Sequence, residues 1–158
     1  MKNKQKGFTL IEILVVIGII AILAAIVVVA INPARQFAQA RNSQRVSNVN
    51  AILNAIGQNM ADNKGIFTCS QTLPAVATTT PISRGGINIR SCVVPTYLSE
   101  IPIDPKAATI TCTDTDCTAG TYNTLYTVFQ DSNGRVNVCA PEALNETAVA
   151  STTICVTR

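Results

Sequence analysis

The sequence predicts an α+β protein. One long, kinked amino-terminal helix should pack against a small carboxy-terminal antiparallel β-sheet head that disulfides reinforce. Three features predict it. Residues Phe8 to Ile31 form an apolar run broken by a single charge, Glu12. Beyond Pro33 an apolar stripe recurs at three- and four-residue steps, the spacing of one helix face. The last third alternates as strands do, and all six cysteines lie beyond residue 65.

Composition narrows the function. The chain has 158 residues, of which 47% are apolar and 13% charged, roughly half the usual charged share. That length suits one compact domain, or a domain with an appendage. With no histidine there is no Ser-His-Asp or Cys-His catalysis and no imidazole metal site, and no enzymatic constellation stands out. Disorder would need low hydrophobicity and high charge. A net charge of +3 is small for a nucleic-acid binder, and none is predicted as a partner.

From Ile13 to Ile31 no residue is charged, and a membrane span needs about 20 such residues. The polar leader Met1 to Gly7 carries Lys2, Lys4 and Lys6. Lysines there hold that end in the cytoplasm and place the rest outside. Arg35, Arg41 and Arg45 follow the span closely and weaken this bias. An ordinary cleaved signal peptide is the rival reading, but its apolar stretch is about 7–15 residues and ends in a small-x-small site. No Ala-x-Ala triplet occurs here. Glu12 is either an interfacial carboxylate eased by the helix dipole, or a functional group whose burial in hydrocarbon costs about 2.5–3.5 kcal/mol.

The string Lys6-Gly7-Phe8-Thr9-Leu10-Ile11-Glu12, followed by an uninterrupted apolar stretch, resembles the processing site of type IV pilins and type II secretion pseudopilins. The resemblance covers residues 1–31 and, more loosely, the helix to Ala61. It implies that a prepilin peptidase cuts between Gly7 and Phe8 and methylates the Phe8 amine. It also implies that Glu12 pairs with the Phe8 amine of a neighbouring subunit during assembly, or earlier with that of its own chain. Docking would then remove the penalty of a lone carboxylate in lipid. Further implied partners are copies of the chain in a helical filament, an assembly ATPase and an inner-membrane platform protein. The implied location is the inner membrane, single-pass with the head outside the cytoplasm, and later a cell-surface filament. Loss of the leader would remove three of twelve basic residues, leaving nine against nine acidic ones. The chain departs from many members in carrying its helix proline, Pro33, four positions later.

Pro33 should kink the helix, because proline deletes a backbone bond and crowds the preceding turn. The stripe of Val46, Val49, Ile52, Leu53, Ile56 and Met60 should face the head, with Arg41, Asn42, Ser43, Gln44, Asn48, Asn50 and Asn54 on other faces. A helix continuous from Thr9 to Ala61 would be about 80 Å long. Asp62-Asn63-Lys64-Gly65 supplies the stop, with Gly65 in the left-handed cap. The expected divisions are the leader 1–7, the span 8–31, an amphipathic helix 32–61 and the head 62–158. The head comprises a loop over 62–105 and a sheet region over 106–158.

Residues 66–95 read as a surface loop with at most a short strand near Ile87-Asn88-Ile89, and one helical turn is expected around Val94 to Ser99. Ile101-Pro102-Ile103-Asp104-Pro105 cannot be interior helix or central strand, and pseudopilins often carry a similar stretch. Leu125–Gln130 and Arg135–Cys139 should form a hairpin around Asp131-Ser132-Asn133-Gly134. Thr152 to Val156 can add a third strand.

Six cysteines in an exported segment read as three disulfides. Of 15 connectivities, pairing by neighbours gives Cys69–Cys92, Cys112–Cys117 and Cys139–Cys155. Asp114 and Asp116, with Asp104 as a third candidate, are the only candidate calcium ligands, against the alternative of a solvated acidic loop. Some pseudopilins hold calcium in head loops; no other cofactor is expected. Arg84, Arg90 and Arg135 read as solvated face or subunit contacts. The expected function is that of a pilin polymerising into a type IV pilus, with a type II secretion pseudopilin as the alternative.

Overall fold

The computed structural model describes residues 7–75, 79–107, 111–112, 120–149 and 152–158. The chain divides into two compact units, with the boundary between Phe37 and Ala38.

In the first unit, helix α1 spans Leu10–Ile31. Its 22 residues at about 1.5 Å each reach about 33 Å, enough for a hydrocarbon layer of about 30 Å. Beyond Glu12 it is apolar on every side, and none of its residues is buried. The expected continuous helix gives way to two helices, because Asn32 takes a left-handed conformation at φ 47°. Asparagine tolerates that region better than most residues. Its Oδ1 also accepts the Arg35 N–H at 3.3 Å, so it serves as a cap for helix α2, Pro33–Asp62. Pro33 then stands at the first helical position, where its missing N–H costs nothing.

In the second unit, α2 buries Ala38, Arg45, Val49, Ile52, Leu53, Ala55, Ile56 and Asn59. The buried row 45-49-52-56-59 keeps the expected three- and four-residue steps, but Arg45 rather than Val46 begins it; Val46 is exposed. The helix ends in a Schellman arrangement, with the Gly65 N–H bonded to the Met60 carbonyl at 2.8 Å. The first left-handed residue is Lys64, at φ 59°, and Gly65 follows at φ 88°.

The sheet has the order β1-β4-β5-β6, antiparallel throughout: β1 is Thr80–Ser83, β4 Asn123–Gln130, β5 Val136–Ala140 and β6 Ile154–Thr157. Tyr126, Val128, Val136, Val138 and Ala140 join Val49, Ile52, Leu53 and Ile56 of α2 in one core. Each such aliphatic side chain, fully buried, contributes about 1.5–3 kcal/mol. The hairpin between β4 and β5 turns as expected, with Gly134 at φ 76° donating to the Asp131 carbonyl.

The segment read as a surface loop is instead part of the core. Phe67, Leu73, Ile82, Ile87, Ile89, Val93 and Val94 are all buried. Its strand lies at Thr80–Ser83, where Pro81 fits because β1 is a sheet edge; Ile87 makes a lone bridge to Ile82. The helical turn comes at Arg90–Val93, α3, and stops before Val94, which is extended ahead of Pro95. Two features were not expected: a two-stranded ribbon of β2, Thr111–Cys112, with β3, Gly120–Thr121, and a 3₁₀ turn over Pro141–Asn145. Residues 101–105 are neither helix nor strand, as Pro102 and Pro105 require.

Candidate functional site

Gly7, Phe8 and the first turn of α1 are all exposed, Phe8 at 80%. Among the described residues nothing approaches within 4 Å of where a Cβ at Gly7 would lie, so none of them demands glycine there. Thr9 caps the helix. Its Oγ1 accepts the Glu12 N–H at 3.3 Å, and the Glu12 Oε2 accepts the Thr9 N–H at 3.4 Å. This reciprocal pair satisfies two helix-terminal donors, and Thr9-Leu10-Ile11-Glu12 carries its sequence signature. The Glu12 carboxylate thus has a partner within its own chain, the Thr9 backbone. A carboxylate offers about four lone-pair directions, so acceptor capacity remains for an ammonium group.

Beyond this turn α1 offers only hydrocarbon. A helix apolar on every side belongs inside a large core or a membrane, and α1 is long and apolar enough to cross one.

The head holds a charged cluster that reading by segment does not bring together. Arg45 is fully buried, and its fork meets Asp104 twice, Nε to Oδ2 at 2.6 Å and Nη2 to Oδ1 at 3.0 Å. Its Nη1 donates to Glu146 Oε1 and to Asn42 Oδ1, both at 2.8 Å. Arg41 takes Glu146 with its own fork at 2.8 and 2.6 Å, and Lys106 Nζ stands 3.3 Å from the same carboxylate. Asn48 donates to the Ile103 carbonyl and to the Tyr126 hydroxyl. Arg41, Asn42 and Asn48, expected on other faces, therefore face the head.

The hydrogen bond from Arg41, helped by those from Arg45 and Lys106, outweighs burial and holds the Glu146 carboxyl far below its ordinary range. The Asp104 hydrogen bond raises Arg45 in the same way, against desolvation. Burial pushes the Tyr126 hydroxyl up to about 12, the Asn48 hydrogen bond opposing it. The cluster is closed on itself and its acids are spoken for. It clamps α2 to the 101–107 stretch and the 3₁₀ turn, and has no reacting group to offer.

The remaining sequence-predicted residues fall out as follows. Disulfides join Cys69 to Cys92 and Cys139 to Cys155. The latter spans directly opposed residues of β5 and β6, where neighbouring pairs exchange the ladder bonds. Cys117, and with it the Cys112–Cys117 pairing, lies outside the described residues, as do Asp114 and Asp116. Asp104 is buried, and both its oxygens accept from the Arg45 fork. Among the described residues no group of three or more His, Cys, Asp or Glu side chains gathers. Arg90 is paired with Glu100, and Arg135, paired with Asp131, stays on the solvated face as expected.

The prokaryotic N-terminal methylation motif matches residues 2–28. Over 105 residues the chain is 34% identical to the type II secretion system core protein G of Escherichia coli strain K12, covering 65% of this chain and 68% of that one. Over 64 residues it is 42% identical to the type IV major fimbrial protein FimA of Dichelobacter nodosus, covering 40% of this chain and 38% of FimA. No solved structure matches it.

Proposed function

The chain belongs to the family of type IV pilins and type II secretion pseudopilins, and from that premise we propose that it is a structural subunit polymerising into a type IV pilus. One observation carries the reading. From Ile13 to Ile31, α1 exposes an uncharged apolar surface that none of the described residues buries. Lipid can cover it while the subunit is stored, and identical helices bundled in a filament can cover it afterwards. Lipid is as apolar as leucine, so helices gain no hydrophobic driving force by associating within the bilayer. Extraction therefore draws on an assembly ATPase acting through a membrane platform protein.

The exposed Gly7-Phe8 bond suits a peptidase working at the cytoplasmic face, which releases the Phe8 amine and methylates it. The new ammonium group competes with the Thr9 N–H for Glu12, first within the chain and then from a neighbour. The ammonium group carries a full charge and the Thr9 N–H does not, so the carboxylate is drawn more strongly to the ammonium and pairing between subunits displaces the self-capped arrangement. The head lies outside the cytoplasm, where its disulfides form.

Glu12→Val tests this directly. The variant should be processed to begin at Phe8, yet yield few filaments. Normal filaments would end the pairing account, and a sequenced terminus other than Phe8 would end the processing site. The second reading, a pseudopilin of a type II secretion system, is favoured by the 105-residue likeness to core protein G, too long for the amino-terminal helices alone to carry. Deleting the gene separates the two: loss of surface filaments supports the pilus, and loss of a secreted enzyme supports the pseudopilin.

A further inference from the structure

Gly57 lies in the interior of α2, where glycine costs about 1 kcal/mol relative to alanine. The usual compensation is a close neighbour that a side chain would strike. Among the described residues there is none: a Cβ at Gly57 meets nothing within 4 Å. The bare backbone instead lines a groove of about 240 Å³, completed by Leu53, Met60, Val136 and Arg158. An apolar cavity of about 150 Å³ already holds benzene, so this one has room for a branched aliphatic side chain. Arg158 is exposed; its guanidinium donates to the Asn54 side chain and has no ion-pair partner among the described residues.

The 3₁₀ turn presents the complement. Leu144 is 48% exposed there. Glu142 accepts from Asn145 Nδ2 at 2.9 Å and has no ion pair among the described residues. The turn is tied through Glu146 to Arg41 and Arg45, whereas the groove lies along Leu53 to Met60. From residue 43 to Gly57 is about 20 Å along the helix axis. One chain's turn cannot reach its own groove.

We infer that the Gly57 groove receives Leu144 of a second copy of this chain, with Glu142 of that copy meeting Arg158. The two surfaces differ, so the contact is heterologous and propagates into a helical filament instead of closing a dimer. Successive partners are offset by about 20 Å along α2. The inference rests on the proposed polymerising role and names a head-to-head contact that orders it.

The test uses the full chain in cells that assemble it. Gly57→Leu should raise the stability of the head by helix propensity. Because it fills the groove, it should also lower the yield of sheared filaments about tenfold, the factor that a loss of about 1.4 kcal/mol corresponds to. Glu142→Arg and Arg158→Glu should each lower the yield, and the two together should restore it. No rescue within one chain can span 20 Å. Wild-type yield from Gly57→Leu, or a double variant no better than the singles, overturns the contact while leaving the polymer in place. An unsubstituted chain that never forms filaments overturns the polymer and the contact together.

Discussion

Between Leu10 and Ile31 no side chain is buried, whereas Val49, Ile52 and Ile56 of α2 are wholly covered by the head. The two helices share a chain and a geometry, yet one is finished and the other is not. The head covers its apolar stripe with a sheet, neutralises Arg45 internally and cross-links its strands. α1 has a capped first turn and nothing else. What separates them is where the missing contacts come from: the head finds them in its own later residues, and α1 must find them outside the chain.

Breaking the head from within sharpens that contrast most. Arg45→Met leaves Asp104 and Glu146 short of a buried partner, which typically costs about 3–5 kcal/mol. Denaturant unfolding of the detergent-solubilised full chain should show this loss, with the helical signal of α1 persisting beyond the head transition. Simultaneous loss of both would break the distinction. Replacing Cys139 and Cys155 with alanine removes a bridge across 16 residues and should cost about 3 kcal/mol, read from the same transition. The smallest effect is that of pH. The folded-state pKa of Glu146 lies below its ordinary 4.5. Its contribution is therefore present above that value and lost as the pH falls below it. The head midpoint should be flat from pH 7 to 5 and then decline, and Glu146→Gln should flatten the decline.

How much of this was legible in the sequence follows from the range of each interaction. The apolar run, the methylation motif and the helical stripe are local patterns, and they predict the helical stretch, though as one continuous kinked helix, and the first-turn site; strand alternation around Asp131-Ser132-Asn133-Gly134 predicts the hairpin. The capping box was not read from the sequence, although threonine and glutamate three apart carry its signature. The ion cluster was not legible. Asp104 and Glu146 lie 59 and 101 residues from Arg45, and an arginine one position before an apolar stripe reads as solvent-facing. The register of α2 is off at one end for that reason: the charge is buried and Val46 is not. Pro81 likewise argues against a strand until the fold makes β1 an edge. The cluster also softens a puzzle of orientation. Arg41 and Arg45 follow the span closely, but in the folded head both are matched by carboxylates.

The central claim is that the α1 surface is completed by lipid before assembly and by copies of itself afterwards. A photo-crosslinking side chain at Val27, exposed on α1, measures this in both states. Sheared filaments should give a ladder of crosslinked subunits, and membranes from cells lacking the assembly ATPase should give monomer joined to lipid. Monomer alone from filaments would contradict the account.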